Sequence, residues 1–130
     1  MEEIVIRTSK REEIIDITGE VEEIVKKSKI NEGVCFLFIK HATAALTINE
    51  NYDPIVSLDL LDALKKIAPK GIWRHDKVDG NADAHIKSAI VGPDISIPIK
   101  NSALQLGTWQ GVMLCEFDGP RERKVCIICK

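Results

Sequence analysis

The sequence predicts an α+β fold: a single compact domain with a mostly antiparallel or mixed β-sheet and helices packed on one side. Three observations predict it. Several short segments alternate apolar and polar residues, as half-buried strands do, and three others repeat apolar residues at helical spacing. The segments follow one another as β-β-α-β-β-α-α-β-β-β, without the regular strand-helix alternation of a parallel sheet. A chain of 130 residues has the usual length of one domain, so residues 1–130 are expected to form a single unit.

The first elements are two short strands, a helix and a longer strand. We predict strands at residues 4–8 and 13–17, a helix at residues 18–28 and an apolar strand at residues 34–39. Glutamates near the start of the helix and lysines near its end match the helix dipole, and Thr18 is predicted to cap its amino end.

The next predicted strand, at residues 42–49, has two unlike faces. One face carries Ala42, Ala44, Leu46 and Ile48, and the other carries Thr43, Ala45, Thr47 and Asn49. The first face is expected to join the core. The second is polar enough to line a cleft.

Two helices and three strands complete the chain. Asp53-Pro54 has the cap and first-turn proline of a helix that runs to about residue 67. Its apolar residues are predicted to face inward: Ile55, Leu58, Leu61, Leu64 and Ile67. After an irregular stretch at residues 68–80, another helix is expected from Asn81 to about residue 91, where Gly92-Pro93 ends it. The remaining strands are expected at residues 95–99, 112–117 and 124–129.

The charge balance and hydropathy exclude two classes of partner. The net charge is −2, and the 18 basic residues are interleaved with 20 acidic ones, so no basic surface for nucleic acid is expected. No apolar run approaches the roughly 18 residues of a membrane helix, and the amino end lacks the pattern of a signal peptide. We therefore expect a cytoplasmic protein without a membrane or nucleic-acid partner.

The four cysteines are predicted to be buried thiols. Cys126 and Cys129 form a C-x-x-C pattern, which a zinc site or a redox pair could use. They lie in a β-branched run that reads as a strand, where positions three apart point to opposite faces. The structural interpretation is therefore favoured.

The three histidines occupy unusual places: His41 at a strand junction, His75 in the irregular loop and His85 inside a short helix. We expect them to converge on one polar site. Three neutral imidazoles suit a divalent metal, zinc above all, and Asp83 or Glu50 could orient a ligand or add an oxygen donor. Each histidine alone also fits a hydrogen-bonded core or surface group, and their spacing matches no compact metal motif.

Four stretches of the chain carry a family resemblance. They are His41-Ala-Thr-Ala-Ala-Leu-Thr-Ile-Asn-Glu-Asn51, Trp73-Arg74-His75, Asp79-Gly-Asn-Ala-Asp-Ala-His-Ile-Lys-Ser88, and Leu106-Gly-Thr-Trp-Gln-Gly111 followed by Glu116-Phe-Asp-Gly119. In this order and spacing, the sequence from about residue 33 to the carboxyl end resembles the YjbQ-like family, labelled secondary thiamine-phosphate synthases.

The resemblance implies a compact α+β domain, commonly a homotrimer, with the histidines grouped around a metal site. It also implies an activity that joins a pyrimidine diphosphate to a thiazole phosphate and releases pyrophosphate. The expected site has three kinds of residue: metal ligands His41, His75 and His85; substrate-binding groups Thr43, Thr47, Asn49, Arg74, Asn81, Lys87 and Ser88; and Glu50 and Asp83 as catalytic groups.

A catalyst for this reaction must hold two anionic, phosphorylated substrates and stabilise the leaving charge. Arg74 or Lys87 could bind phosphate oxygens, while Thr43, Ser88 and the helix start near Asn81 could donate hydrogen bonds. The chain has no glycine-rich phosphate loop. Two other functions stay open: a hydrolase whose metal-bound water is the nucleophile, and a non-catalytic module that binds a metabolite or a metal.

Overall fold

Eight strands and three helices make up the computed structural model, which describes residues 1–130. The strands are β1 (Glu2–Arg7), β2 (Glu13–Asp16), β3 (Glu32–Ile39), β4 (Ala44–Glu50), β5 (Asp94–Lys100), β6 (Ala103–Leu104), β7 (Gln110–Glu116) and β8 (Glu122–Cys129). The helices are α1 (Thr18–Ser28), α2 (Pro54–Ile67) and α3 (Ala82–Val91), with a 3-10 turn at Arg74–Lys77. None of the helices has the length and apolar character that a bilayer crossing requires.

The strands form two sheets rather than one. The larger sheet has the order β1-β8-β3-β5-β6, the smaller has the order β2-β7-β4, and every pairing is antiparallel. The predicted α+β class is confirmed. The sequence order also agrees, except for β6, a two-residue strand too short to show an alternating pattern.

The main core lies between the two sheets. Ala44 and Leu46 of β4 belong to it, and Ile48 packs against it, so the predicted core face of this strand is confirmed for these three residues. The prediction is wrong for Ala42, which is exposed and lies in the turn before β4. Helix α1 adds Val21 and Val25 to the same core.

A second, smaller cluster lies on the other face of β4 and β7. Ala45 and Cys115 from these strands pack there with Phe117, Leu64 of α2 and Ala84 of α3. Helices α2 and α3 therefore cover the outer face of the smaller sheet. The amino end of α3 lies beside Asp118, just after the end of β7.

Helix α2 begins as predicted but turns a different face to the core. The Asp53 carboxylate accepts a hydrogen bond from the Ile55 amide at 2.9 Å, which confirms the predicted cap. Only Leu64 is fully buried, whereas Ile55 and Leu58 are 60% and 59% exposed. Ile67 is exposed as well, so the inward prediction is wrong for three of the five residues. A helix resting on a three-stranded sheet buries a narrow stripe, and Leu60 and Leu61 complete that stripe beside Leu64.

The amino end of α1 differs from the prediction in its capping group, and α3 is capped from a preceding segment. The Thr18 hydroxyl donates to Asp16 and accepts from the Val112 amide at 2.9 Å, so it ties α1 to β7 instead of capping the helix. At α3, the Asp76 carboxylate accepts from the Ala82 amide at 3.1 Å. This acid of the preceding 3-10 turn stabilises the helix start, which the Asn81 side chain does not cap.

Candidate functional site

Two of the three histidines are in contact at the exposed side of α3. His75 lies in the 3-10 turn and His85 lies one turn into α3, and their ring centroids are 5.0 Å apart in an edge-to-face arrangement. The His75 Nε2 atom is 3.5 Å from Asp79 Oδ2. We call His75 and His85 the histidine pair. It brings two imidazoles from separate elements to one place, with a carboxylate beside them.

The donor chemistry of the histidine pair fits a divalent metal in part. Two ligands of one zinc ion, each at about 2.1 Å, have donor atoms no more than about 4.2 Å apart, a spacing that imidazoles in side-chain contact can reach. However, no three His, Cys, Asp or Glu side chains are already arranged around a common point. The pair with Asp79 could anchor a cation, and further ligands would have to come from water, substrate or another chain.

His41 lies between β3 and β4, and its ring is already engaged. Its Nε2 atom accepts a hydrogen bond from the Lys124 amide at 3.0 Å. Burial lowers the pKa of His41, and the nearby Arg123, Arg121 and Lys124 charges lower it further against an opposing effect of Glu116. The ring is therefore neutral at neutral pH, with its proton on Nδ1.

A buried polar bridge that was not predicted from the sequence joins the two sheets beside His41. Arg123 of β8 donates from Nε to Glu116 of β7 at 2.9 and 3.1 Å, and from Nη2 to the Thr43 hydroxyl at 2.8 Å. Glu116 also accepts from the Thr8 hydroxyl at 2.7 Å. We call these four residues the inter-sheet bridge. Arg123 and Glu116 are 1% and 0% exposed. Thr43, which was expected to bind substrate, is buried as well and hydrogen-bonds Arg123 instead.

Helix α3 separates residues that the sequence places side by side. At about 100° per residue, Asp83 and Lys87 lie on the opposite side of the helix from His85. The structure therefore does not bring Asp83 and Lys87 to the histidine pair.

Asp83 and Lys87, which are buried, instead form an ion cluster with the partly buried Arg11 and Glu12. Asp83 accepts from Arg11 at 3.0 and 3.2 Å and from Lys87 at 2.9 Å, and Lys87 also donates to Glu12 at 2.7 Å. Burial alone would raise the pKa of Asp83, but the hydrogen bonds and charges of Arg11 and Lys87 outweigh it and hold the pKa below its ordinary value. Asp83 is 0% and Lys87 1% exposed, with their charges mutually compensated, which suits a structural role.

On the histidine side of α3, two of the expected polar residues have unsatisfied atoms. Asn81 donates to the Asp118 carboxylate at 2.8 Å, and Arg121 donates to the same carboxylate at 3.1 Å. The Asn81 Oδ1 and Ser88 Oγ atoms are buried without a hydrogen-bond partner. Asp118 thus links the amino end of α3 to Arg121, one of the cations that act on His41.

The remaining expected residues divide between the exposed loop and the far end of β4. Arg74 is exposed and forms no ion pair or side-chain hydrogen bond, so its guanidinium is available to an anion. β4 spans about 20 Å from Ala44 to Glu50 at about 3.3 Å per residue, so Glu50 lies far from Thr43 at the other end. Thr47 is half-buried in the middle of the strand, and the Asn49 side chain binds the Glu50 amide at 2.7 Å.

Glu50 lines a separate surface cleft with Tyr52, Asp53 and Trp109. The Tyr52 and Trp109 rings meet edge to face at 5.3 Å, and both are exposed. Trp73, by contrast, donates from its indole nitrogen to the Pro69 carbonyl at 2.7 Å and holds the loop before the 3-10 turn.

Comparison with known proteins gives consistent matches over almost the whole chain. A family model described as UPF0047 protein YjbQ-like matches residues 2–129. A UPF0047 protein of Methanocaldococcus jannaschii is 45% identical over 119 residues, which cover 92% of this chain and 86% of the relative. The UPF0047 protein YugU of Bacillus subtilis is 45% identical over 121 residues, covering 91% of this chain and 89% of the relative. A crystal structure of a YjbQ/UPF0047 family protein from Clostridium acetobutylicum superposes with a TM-score of 0.96 at 44% identity, covering both chains completely.

Proposed function

Because this chain belongs to the YjbQ-like family of UPF0047 proteins, we propose that it is a cytoplasmic enzyme that uses a divalent metal to act on small phosphorylated substrates. Its candidate reaction is the formation of thiamine phosphate. The observation that supports the proposal is the contact of His75 with His85, two imidazoles of the kind that commonly bind metals in proteins.

The histidine pair and Asp79 are the residues that would hold the metal, with zinc as the preferred ion because imidazole nitrogen suits it. His41 was expected to be a third histidine ligand. As a ligand through Nε2 it would have to give up the Lys124 amide, so the proposed role of His41 is a hydrogen bond to substrate from Nδ1. When bound, the metal would supply Lewis-acid stabilisation of the departing phosphate charge.

Cationic side chains supply the other requirement, the binding of two anionic substrates. Arg74 lies next to His75 with its guanidinium free, and Arg121 and Lys124 lie near His41. In the proposed reaction, a carbon–nitrogen bond to the thiazole forms while the carbon–oxygen bond to the diphosphate breaks. The electron pair leaves with pyrophosphate, whose negative charge these cations would stabilise.

The test measures metal content and product formation separately. Purified protein is loaded with zinc, and thiamine phosphate is quantified after incubation with the pyrimidine diphosphate and the thiazole phosphate. His75→Ala and His85→Ala should each lower bound zinc and turnover at least tenfold, whereas Lys26→Ala on the exposed side of α1 should change neither. His41→Asn should retain zinc and raise KM.

Three outcomes would contradict parts of the proposal. Unchanged turnover after complete metal removal and in both histidine variants would remove the metal. Cleavage of the pyrimidine diphosphate without the thiazole would indicate a hydrolase instead of a synthase. A ligand-dependent rise in melting temperature without any product would indicate a binding module.

The exposed apolar residues of α2 support self-association as a homotrimer, the assembly that the resemblance implies. Ile55 and Leu58 are more than half exposed, and Tyr52 and Trp109 continue the apolar surface beyond the start of the helix. Burying a side chain of this size completely contributes about 1.5–3 kcal/mol, so contact with another copy of the chain would be stabilised by covering these residues. Sedimentation at micromolar concentration should give a trimer, and Leu58→Glu should dissociate it while the matched Asp59→Ala should not. A monomeric wild-type protein would refute the assembly.

A further inference from the structure

Two of the four cysteines lie directly opposite each other in the larger sheet. Cys35 of β3 and Cys129 of β8 are Cα partners in the antiparallel register. Directly opposite residues of two paired strands point to the same face, and both side chains turn toward the main core. Cys35 is fully buried, whereas Cys129 is partly exposed.

The backbone hydrogen bonds fix the type of this position. Val34 and Lys130, the adjacent pair, exchange both backbone hydrogen bonds, at 2.9 and 3.0 Å. Because such pairs alternate along an antiparallel ladder, Cys35 and Cys129 form a non-hydrogen-bonded pair. The Cα atoms of such a pair are about 4.5 Å apart, within the range of about 4.4–6.8 Å over which a disulfide can form. A bond between these sulfurs therefore needs only a small movement of the strands.

The other two cysteines are not placed to compete. Cys126 lies on the opposite face of β8, with Phe38 as its partner in β3. Cys115 lies in the smaller sheet, buried in the second apolar cluster. The C-x-x-C spacing of Cys126 and Cys129 therefore does not identify the reactive pair, which the register identifies instead.

Access to this pair is from the side of Cys129. A surface cavity of about 240 Å³ opens beside it, lined in part by Ile24, Lys27 and Ser28 of α1. Burial and the neighbouring Cys129 raise the pKa of the Cys35 thiol to about 12, so Cys35 is protonated at neutral pH. A small reagent would therefore meet Cys129 first.

We propose that Cys35 and Cys129 are a thiol–disulfide exchange site, which reacts with low-molecular-weight disulfides and closes reversibly into a bond between β3 and β8. In the first step the Cys129 thiolate attacks one sulfur of the small disulfide, forms a mixed disulfide and releases one thiolate. In the second step the Cys35 sulfur attacks Cys129 Sγ, and the second thiolate leaves with the proton from Cys35. Two protein thiols are oxidised, and the small disulfide is reduced to two thiols.

The test uses oxidised glutathione on the intact native protein, followed by acid quenching, alkylation of the remaining thiols and mass analysis without reduction. In the wild type, the free thiols should fall from four to two, and a Cys35–Cys129 cross-linked peptide should appear. Cys35→Ser should stop at the mixed disulfide, with glutathione on Cys129. Cys129→Ser should not react. Cys126→Ser, on the other face of the same strand, should react as the wild type does.

The oxidised wild type gives a second readout that does not depend on any variant. Its melting temperature should rise by roughly 5–15 °C and return to the starting value with dithiothreitol, because the bond closes a loop of more than ninety residues in the unfolded chain. Glutathione on Cys126, a cross-link between two chains, or a mixed disulfide that persists in the wild type without closing would each overturn the proposal.

Discussion

Replacing Arg123 with Met tests the energetic role of the inter-sheet bridge. The substitution keeps much of the volume of the side chain and removes its charge. Glu116 then stays in the core without its main partner, because only the Thr8 hydroxyl and the Asp118 amide still donate to it. The variant therefore measures what a carboxylate costs when it is 0% exposed and has lost its cation.

The expected loss follows from the burial of both partners. Removing one member of a fully buried ion pair destabilises proteins by about 3–5 kcal/mol. Arg123 also loses its hydrogen bonds to the Thr43 hydroxyl and carbonyl, at 2.8 and 3.2 Å, which places the estimate toward the upper end. For a chain of this length the melting temperature should fall by roughly 10–25 °C.

Chemical denaturation at neutral pH is the assay, and a surface ion pair between β1 and β8 provides the matched control. Arg7 pairs with Glu122 at 3.2 Å, and their side chains are 84% and 42% exposed. Because solvent screens this pair, Arg7→Met should lose no more than about 1 kcal/mol. The double variant Glu116→Gln with Arg123→Met should recover part of the loss, since no charge is then left in the core.

Two results would refute this reasoning. One is a loss below about 1 kcal/mol for Arg123→Met, which would mean that Glu116 finds water or another partner. The other is an equal loss for the two arginine variants. Either result would show that the inter-sheet bridge is not a buried charge pair in solution.

Three further predictions concern titration and packing. NMR titration should give His41 a pKa below its ordinary value, and Arg123→Met should raise that pKa. Because the folded pKa is lowered, the contribution of this ring to stability is present above about pH 6.5 and is lost as the pH falls. The pKa of Asp83 is lowered in the folded protein, so its contribution to stability is present above about pH 4 and is lost as the pH falls further. Asp83→Asn should therefore make stability less dependent on pH in the acid range, and an unchanged dependence would contradict this. Gly119→Ala should destabilise the protein by about 1–3 kcal/mol, because the added Cβ would meet a backbone carbonyl. Gly19→Ala in α1 has open space around the added Cβ and should stabilise the protein by about 0.5–1 kcal/mol, so equal effects in denaturant melts would refute the contrast.

Local signals predicted much of the fold. The Asp53-Pro54 pair fixes the start of α2 because a cap and a first-turn proline act within a few residues. The alternation from Ala44 to Ile48 identifies a core face because the period of a strand is a local property. Neither signal shows which strands pair, so the division into two sheets could not be predicted. For the same reason the exposure of Leu58 in α2 was not foreseen.

The site was harder to predict because it depends on contacts between distant parts of the chain. The contact of His75 with His85 agrees with the expectation for two of the three histidines, whereas the His41 ring binds the Lys124 amide. Asp83, a close neighbour of His85 in sequence, was assigned to the same place although it lies across the helix. A signal for the inter-sheet bridge was present. Arg123 and Glu116 lie two positions from core residues of β8 and β7, on the same face of each strand, and a charge on a core face indicates a buried partner.

The position of β8 between β1 and β3 has a consequence for folding during synthesis. β1 pairs only with β8, and β3 needs β8 along one edge, so both strands emerge from the ribosome long before their shared partner. Until then their backbone groups and apolar side chains stay open to other chains. We expect this protein to fold late and slowly for its size, and to depend on chaperones when translation stalls ahead of residue 122.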